Sequence, residues 1–136
     1  MNIHHKKILT IFLGLIAVSQ VASASSCDGA KTQVDLSQCA AQEFHREASR
    51  LEGIYNSYLS RLTGTQQTRF AEAQAAWRKY MDLTCDFESS AVLGGSAHQV
   101  VLASCLSSMT HERLLNIQAL IQCPGGDLKC PQLERK

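Results

Sequence analysis

Six cysteines constrain the fold of this chain more than any other sequence feature. All six follow an amino-terminal segment that has the features of an export signal: the basic Lys6 and Lys7, an apolar run over residues 8–18, and a small-x-small sequence at 22–24. We expect cleavage near Ala24, which leaves residues 25–136 as one domain in the periplasm or outside the cell. In such an oxidising compartment an even number of cysteines predicts three disulfides among Cys27, Cys39, Cys85, Cys105, Cys123 and Cys130.

The charges and the histidine positions argue against several classes of partner. Thirteen Lys and Arg residues, two of them in the export segment, nearly balance 12 Asp and Glu residues. A chain without a concentrated basic region is a poor match for nucleic acid or an anionic membrane. The cysteines form no C-x-x-C pair, and His45, His98 and His111 lack the spacing of a compact zinc site. We therefore expect no metal, no cofactor, no nucleic-acid partner and, because no later stretch is apolar enough, no integral membrane segment.

Apolar residues recur every three or four positions and predict an all-α fold of three helices. The first helix is predicted over 33–62, the second over 66–91, and the third from a capping Ser96 through Leu120. Because the connections between them are short, we expect an antiparallel three-helix hairpin bundle stapled by the disulfides.

Capping and turn residues mark the predicted helix ends. Thr32 and Asp35 have the spacing of a capping pair, and Ser96 with Gln99 has that of a capping box. The two glycines at 94–95 separate the second helix from the third.

The positions of the cysteines along the predicted helices suggest how they pair. Cys85 and Cys105 lie nine and eleven residues from the second turn, so they stand at nearly the same height across that hairpin. Cys39 is then left for Cys27, whose leader can fold back to it. The two remaining cysteines close a small carboxy-terminal ring and give the pairs Cys27–Cys39, Cys85–Cys105 and Cys123–Cys130.

The second and third helices carry a recognisable set of motifs. The sequence AQAAWRKYMDLTC over 73–85 is followed by Gly-Gly-Ser at 94–96, by Cys105, and by Thr-His-Glu-Arg at 110–113. With Cys27, Cys39, Ala40, Leu51 and Tyr55 of the first helix, this set resembles the LprI-like lysozyme inhibitor family over roughly residues 27–121.

The resemblance implies an all-helical, disulfide-bonded periplasmic or surface protein, and some members of the family inhibit lysozyme. The chain departs from the family pattern at two points. Glu52 follows Leu51 where the family usually has Asn, and Ala24 stands where a lipoprotein signal would have Leu, Val or Ile. The second departure favours a soluble periplasmic product without a lipid anchor.

The motif residues have mainly a structural interpretation. Trp77 and Tyr80 fall on the predicted buried face of the second helix, where aromatic rings supply much of the apolar contact area. Arg113 occupies a buried-face position of the third helix and needs an acceptor there. Counted from the turns, residues 52, 74 and 113 lie at similar heights along the three predicted helices. We therefore predict an ion pair between Arg113 and Glu52 and a contact between Arg113 and Gln74. The complete structural set is Glu52, Tyr55, Gln74, Trp77, Tyr80, Asp82, Thr110 and Arg113.

Catalysis is not expected from this sequence. Glu43, His45, Glu47 and the His-Glu pair at 111–112 offer acid–base groups, but charged residues this frequent on helices usually form a solvated face. The chain has no nucleophile elbow, phosphate-binding loop or H-E-x-x-H motif.

An inhibitor instead needs a rigid projection that fits the cleft of its partner, and lysozyme is the partner that the resemblance implies. Two segments qualify: the turn with Gly94 and Gly95, and the ring that holds Pro124, Gly125, Gly126, Asp127, Leu128 and Lys129. Inside a lysozyme cleft, Lys129 would meet catalytic carboxylates and Asp127 would meet cationic rim residues. For the ring, the favoured interpretation is a staple against fraying of the third helix, and a binding loop is the alternative.

The function also has alternatives. One is an envelope adaptor or structural helical module, whose helical face binds another protein without affecting lysozyme. Another, less favoured, is a binder of a small molecule or a metal.

Overall fold

The computed structural model describes residues 27–125, 127, 128, 130 and 131, which contain three α-helices and no strand. The helices are α1 (Gln33–Leu59), α2 (Gly64–Ser89) and α3 (His98–Ile121), with 3₁₀ turns at Cys27–Gly29 and Ser90–Val92. The predicted all-α class is therefore confirmed. The predicted export segment, residues 1–24, lies outside the described residues.

The start of α1 has the predicted cap. The hydroxyl of Thr32 accepts a hydrogen bond from the backbone N–H of Asp35 at 3.1 Å, and the Asp35 carboxylate accepts one from the backbone N–H of Thr32 at 3.0 Å. α1 ends earlier than predicted, at Leu59, because the next residues tighten into i→i−3 turns at Arg61 and Leu62. Gly64, whose φ of +50° suits glycine, then begins α2.

The predicted Ser96–Gln99 capping box is wrong. The N-cap of α3 is Ala97, which makes no side-chain capping bond. The chain reaches α3 through consecutive backbone turns instead, in which Gly95 donates to Val92 and His98 donates to Gly95. α3 therefore begins two residues after Ser96, at His98.

α3 lies against both other helices, with its most extensive contact to α1. Successive short connections make α2 antiparallel to its two neighbours, so α1 and α3 run parallel. The buried centre consists of Leu51, Tyr58 and Leu62 together with Leu114 and Ile117 of α3. The ring of Phe70 joins α2 to this centre, stacked on Tyr55 and edge-on to Tyr58 at centroid distances of 5.3 and 5.1 Å.

The three disulfides pair as predicted. Cys85 is fully buried and its bridge to Cys105 joins α2 to α3 with a Cα–Cα distance of 5.6 Å. The Cys27–Cys39 bridge fastens the leader to α1, and the Cys123–Cys130 bridge closes a ring after α3. The Cys85–Cys105 bridge, which we call the hairpin bridge, spans 20 residues and stabilises the fold by about 3 kcal/mol in the chain-entropy model.

The buried face of α2 differs from the predicted one. Tyr80 is 61% exposed and Phe87 is 79% exposed, so the prediction that Tyr80 lies in the core is wrong. The helix buries Gln74, Met81 and Cys85 instead, which lie next to the predicted positions on the helical surface. Trp77 is partly buried and packs against the core, as predicted. Apolar residues occupy two adjacent faces of α2, and the Cys85–Cys105 bridge turns one of them inward.

Among the described residues, no helix combines the length and the apolar character that crossing a membrane would require.

Candidate functional site

The two projecting segments proposed from the sequence lie at opposite ends of the bundle. The 94–95 turn precedes α3 and the ring follows it, and α3 is 24 residues long. At about 1.5 Å per residue the helix separates them by about 36 Å. The position of the ring agrees with Pro131, which shares a cavity of about 190 Å³ with Tyr58, Leu62 and Phe70 near the α1–α2 connection. The two segments therefore cannot enter one cleft together.

The turn between α2 and α3 is an exposed apolar tip with a defined backbone. Leu93 is 73% exposed, and its backbone N–H donates to the carbonyl of Ser90 at 3.2 Å. Gly94 has φ +79°, which favours glycine, and a Cβ on Gly95 would lie 3.2 Å from the carbonyl oxygen of Val92. Both glycines are thus matched to the local geometry. The Cys85–Cys105 bridge ties together the two helices that carry this tip.

The carboxy-terminal ring is anchored at one side and exposed at the other. Cys130 is 8% exposed and donates its backbone N–H to the carbonyl of Asp127 at 3.0 Å. Leu128, in contrast, is 96% exposed, and Pro124, Gly125 and Asp127 are also exposed. Gly126 and Lys129 lie outside the described residues. The buried Cys130 agrees with the staple interpretation, while Leu128 is available for contact.

Four of the eight motif residues line a groove between α1 and α2. This groove has a volume of about 210 Å³ and its lining includes Glu52, Trp77, Asp82 and the buried Thr110. The Thr110 hydroxyl lies 3.5 Å from the sulfur of Met81. An opening of this size and mixed polarity suits one side chain of a partner better than a large ligand.

Arg113 and its neighbours form the central polar contact beside the groove. Its Nε donates a hydrogen bond to Oε1 of Gln74 at 2.9 Å, and its guanidinium lies 5.8 Å from the centre of the Trp77 ring. Burial lowers the pKa of Arg113 from its ordinary value. The predicted contact with Gln74 is confirmed. The predicted ion pair with Glu52 is wrong, because the Glu52 carboxylate pairs with Arg78 at 2.7 Å.

Glu47 is a buried charged residue that the sequence interpretation assigned to a solvated face. It is only 7% exposed, and its two carboxylate oxygens lie 2.9 Å from Nη1 of Arg50 and 3.2 Å from Nδ1 of His111. Burial pushes the pKa of Glu47 upward, but the hydrogen bonds and charges of His111 and Arg50 outweigh it and leave this pKa below the ordinary value. The i,i+3 spacing from Glu47 to Arg50 was visible in the sequence, whereas the packing against α3 was not.

Two serines belong to the surroundings of the Glu47–His111 pair. Ser107 and Ser108 share a cavity of about 200 Å³ with it. Within the described part of the chain, neither serine hydrogen-bonds to His111, as an activated hydroxyl would.

Cys27, Cys39 and Glu43 place potential metal-ligand atoms within 4.8 Å of one another. Both sulfurs are in a disulfide and are not available as thiolate ligands.

Comparison with known proteins agrees with the motif set. The chain is 24% identical over 109 residues to an uncharacterized protein, R02472, of Rhizobium meliloti strain 1021, and the match covers 71% of this chain and 78% of that one. No solved structure gives a significant match. The sequence model of the lysozyme inhibitor LprI family matches residues 24–116, which include α1, α2, the 94–95 turn and most of α3. The chain therefore belongs to the LprI lysozyme inhibitor family.

Proposed function

We propose that this chain inhibits lysozyme by binding the enzyme and blocking its substrate groove. Membership of the inhibitor family is the observation that carries this proposal. We also propose that residues 1–24 are an export signal and that residues 25–136 act as one domain in the periplasm or outside the cell.

We assign the inserting element to the α2–α3 turn, for two reasons. The family match ends at residue 116 and so includes this turn, but it ends before the ring at 123–130. The turn also has a shape suited to a cleft, since Gly94 and Gly95 carry no side chain and Leu93 projects beside them. No charged residue occurs between Ser89 and Ala97, so insertion would not require a charge to be desolvated.

Rigidity supports the same assignment. The backbone bonds of the turn and the Cys85–Cys105 bridge fix the tip before binding, so that less ordering entropy is lost when the complex forms. The ring is the second candidate for insertion, through Leu128 and the charges of Asp127 and Lys129.

Inhibition assays with purified c-type, g-type and i-type lysozymes test the function and locate its surface. The substitution Leu93→Asp places a charge on the exposed tip, and we expect it to weaken inhibition by at least about tenfold without changing the helical spectrum. Replacement of both Cys123 and Cys130 by Ser is the matched change at the opposite end, and we expect a smaller effect.

The outcomes separate the surfaces and the functions. Loss of inhibition in the ring variant, with full potency of Leu93→Asp, would assign the ring. Failure of the native protein to inhibit or bind any lysozyme of the panel would refute the proposal and favour an envelope adaptor.

A further inference from the structure

An apolar stripe runs along the outer face of α2, away from the core of its own chain. Tyr80, Leu83 and Phe87 are 61%, 60% and 79% exposed, and the two alanines that precede them are exposed as well. Successive members are three, four, three and four residues apart, which is the spacing of a coiled-coil seam. We define the α2 stripe as Ala73, Ala76, Tyr80, Leu83 and Phe87.

We propose that the α2 stripe binds the same stripe of a second copy of this chain, with the two α2 helices antiparallel. This inference concerns a different surface from the α2–α3 tip and does not depend on inhibition of lysozyme. The observations that carry it are the self-complementary order of side-chain sizes and the position of two opposite charges beside the stripe.

Side-chain size along the stripe is complementary only in the antiparallel arrangement. When Tyr80 of one copy lies opposite Leu83 of the other, Ala76 lies opposite Phe87, because each flanking residue is four positions away. In this alignment each Phe87 faces the small Ala76, on either side of two central Tyr80–Leu83 pairs, and Ala73 faces Ser90. In a parallel pair, Phe87 would face Phe87 and Ala73 would face Ala73, so the spacing would differ between the ends.

Two charges on one flank fit the same alignment. Lys79 and Asp86 are both exposed, and each immediately precedes an aromatic residue of the stripe. Residues that immediately precede such seam positions lie on the same flank of the seam, and they face each other across an antiparallel coiled coil. Lys79 of one copy therefore faces Asp86 of the other, and the twofold axis produces this pair twice. Such a twofold interface closes on itself and gives a dimer rather than a filament.

Sedimentation velocity of the exported, oxidised protein at micromolar concentrations tests the interface. We expect a dimer. Leu83→Glu or Phe87→Glu should raise its dissociation constant on the order of a hundredfold. Both residues are exposed, so the circular dichroism and melting temperature of the monomer should be retained. A monomeric native protein, or a dimer unaffected by either substitution, would overturn the proposal.

Charge reversal tests the orientation independently. Lys79→Asp places two carboxylates opposite each other at each facing pair, and Asp86→Lys places two ammonium groups there. Each variant should therefore dimerise about tenfold more weakly than the native chain. A mixture of the two variants should restore a dimer, because the heterodimer relieves the repulsion between like charges that both homodimers carry. A dimer that is insensitive to both substitutions, or a mixture that does not recover, would refute the antiparallel arrangement.

Discussion

Glu47 on α1 and His111 on α3 hold the two parallel helices together through a contact of 3.2 Å between Oε2 and Nδ1. The glutamate is buried and the histidine is exposed, so the contact lies at the margin of the α1–α3 interface. Arg50 donates to the other carboxylate oxygen at 2.9 Å. This arrangement makes the stability of the bundle dependent on the ionisation of Glu47.

Glu47→Gln is expected to lower the free energy of unfolding at pH 7 by about 1–2 kcal/mol, because the charge-assisted bonds are weakened. The folded-state pKa of Glu47 is below the ordinary value of 4.5, so its stabilising contribution is complete above that value and is lost as pH falls through the folded pKa. Urea titrations across the acid range check this. A difference between native and variant proteins that does not shrink on acidification would contradict it.

Gln74→Leu is expected to destabilise the protein by about 1–3 kcal/mol, because it removes the acceptor of the partly buried Arg113. Arg78→Ala is the matched control. It removes the exposed Arg78–Glu52 ion pair, in which both side chains are about half exposed, and should cost less than about 1 kcal/mol. Thermal denaturation compares the two variants, and equal losses would argue against a structural role for the Arg113 contact.

Gly53→Ala is expected to stabilise the protein by about 1 kcal/mol, since Gly53 lies inside α1 and an added Cβ would meet nothing within 4 Å. Gly94→Ala should have the opposite effect, because the φ of +79° at Gly94 is unfavourable for alanine. The urea concentration at the midpoint of unfolding measures the stability change in each of the two variants. A destabilised Gly53→Ala variant would indicate that this position serves a contact that requires glycine.

Replacement of Cys85 and Cys105 by Ser is expected to cost about 3 kcal/mol of stability and to weaken the proposed inhibition of lysozyme, since the bridge joins the two helices that carry the α2–α3 turn. Removal of the Cys123–Cys130 bridge, which spans seven residues, should cost about 2 kcal/mol. Denaturation and inhibition assays on both double variants provide the comparison. Undiminished inhibition without the hairpin bridge would show that the fixed tip is not required.

The fold was largely predictable because helical rise is regular. Counting residues on either side of the second turn predicts the Cys85–Cys105 pair. The same count places Gln74 of α2 near Arg113 of α3. The capping pair at the start of α1 is a local interaction between residues close in sequence, and its geometry follows from that spacing.

The wrong predictions concern which face of a helix becomes buried and which partner a charged side chain takes. Both depend on how the helices pack, which the sequence pattern alone does not determine. α2 has apolar residues on two adjacent faces, so its period could not show that Tyr80 faces outward. Height along the helices alone assigns Glu52 to Arg113, whereas in the structure Glu52 pairs with the exposed Arg78. Glu47 belongs to a run of charged residues typical of a solvated surface, and only the packing of α3 against α1 buries it.

The Cys27–Cys39 bridge determines how the molecule can be tethered. It fastens residue 27 near the start of α1, the end of the bundle that also carries the α2–α3 turn. A carrier or surface attached just before this cysteine would sit beside the tip and crowd it. Attachment after the carboxy-terminal ring would instead hold the molecule by its far end and present Leu93 outward, which makes that terminus the suitable place for immobilisation or fusion.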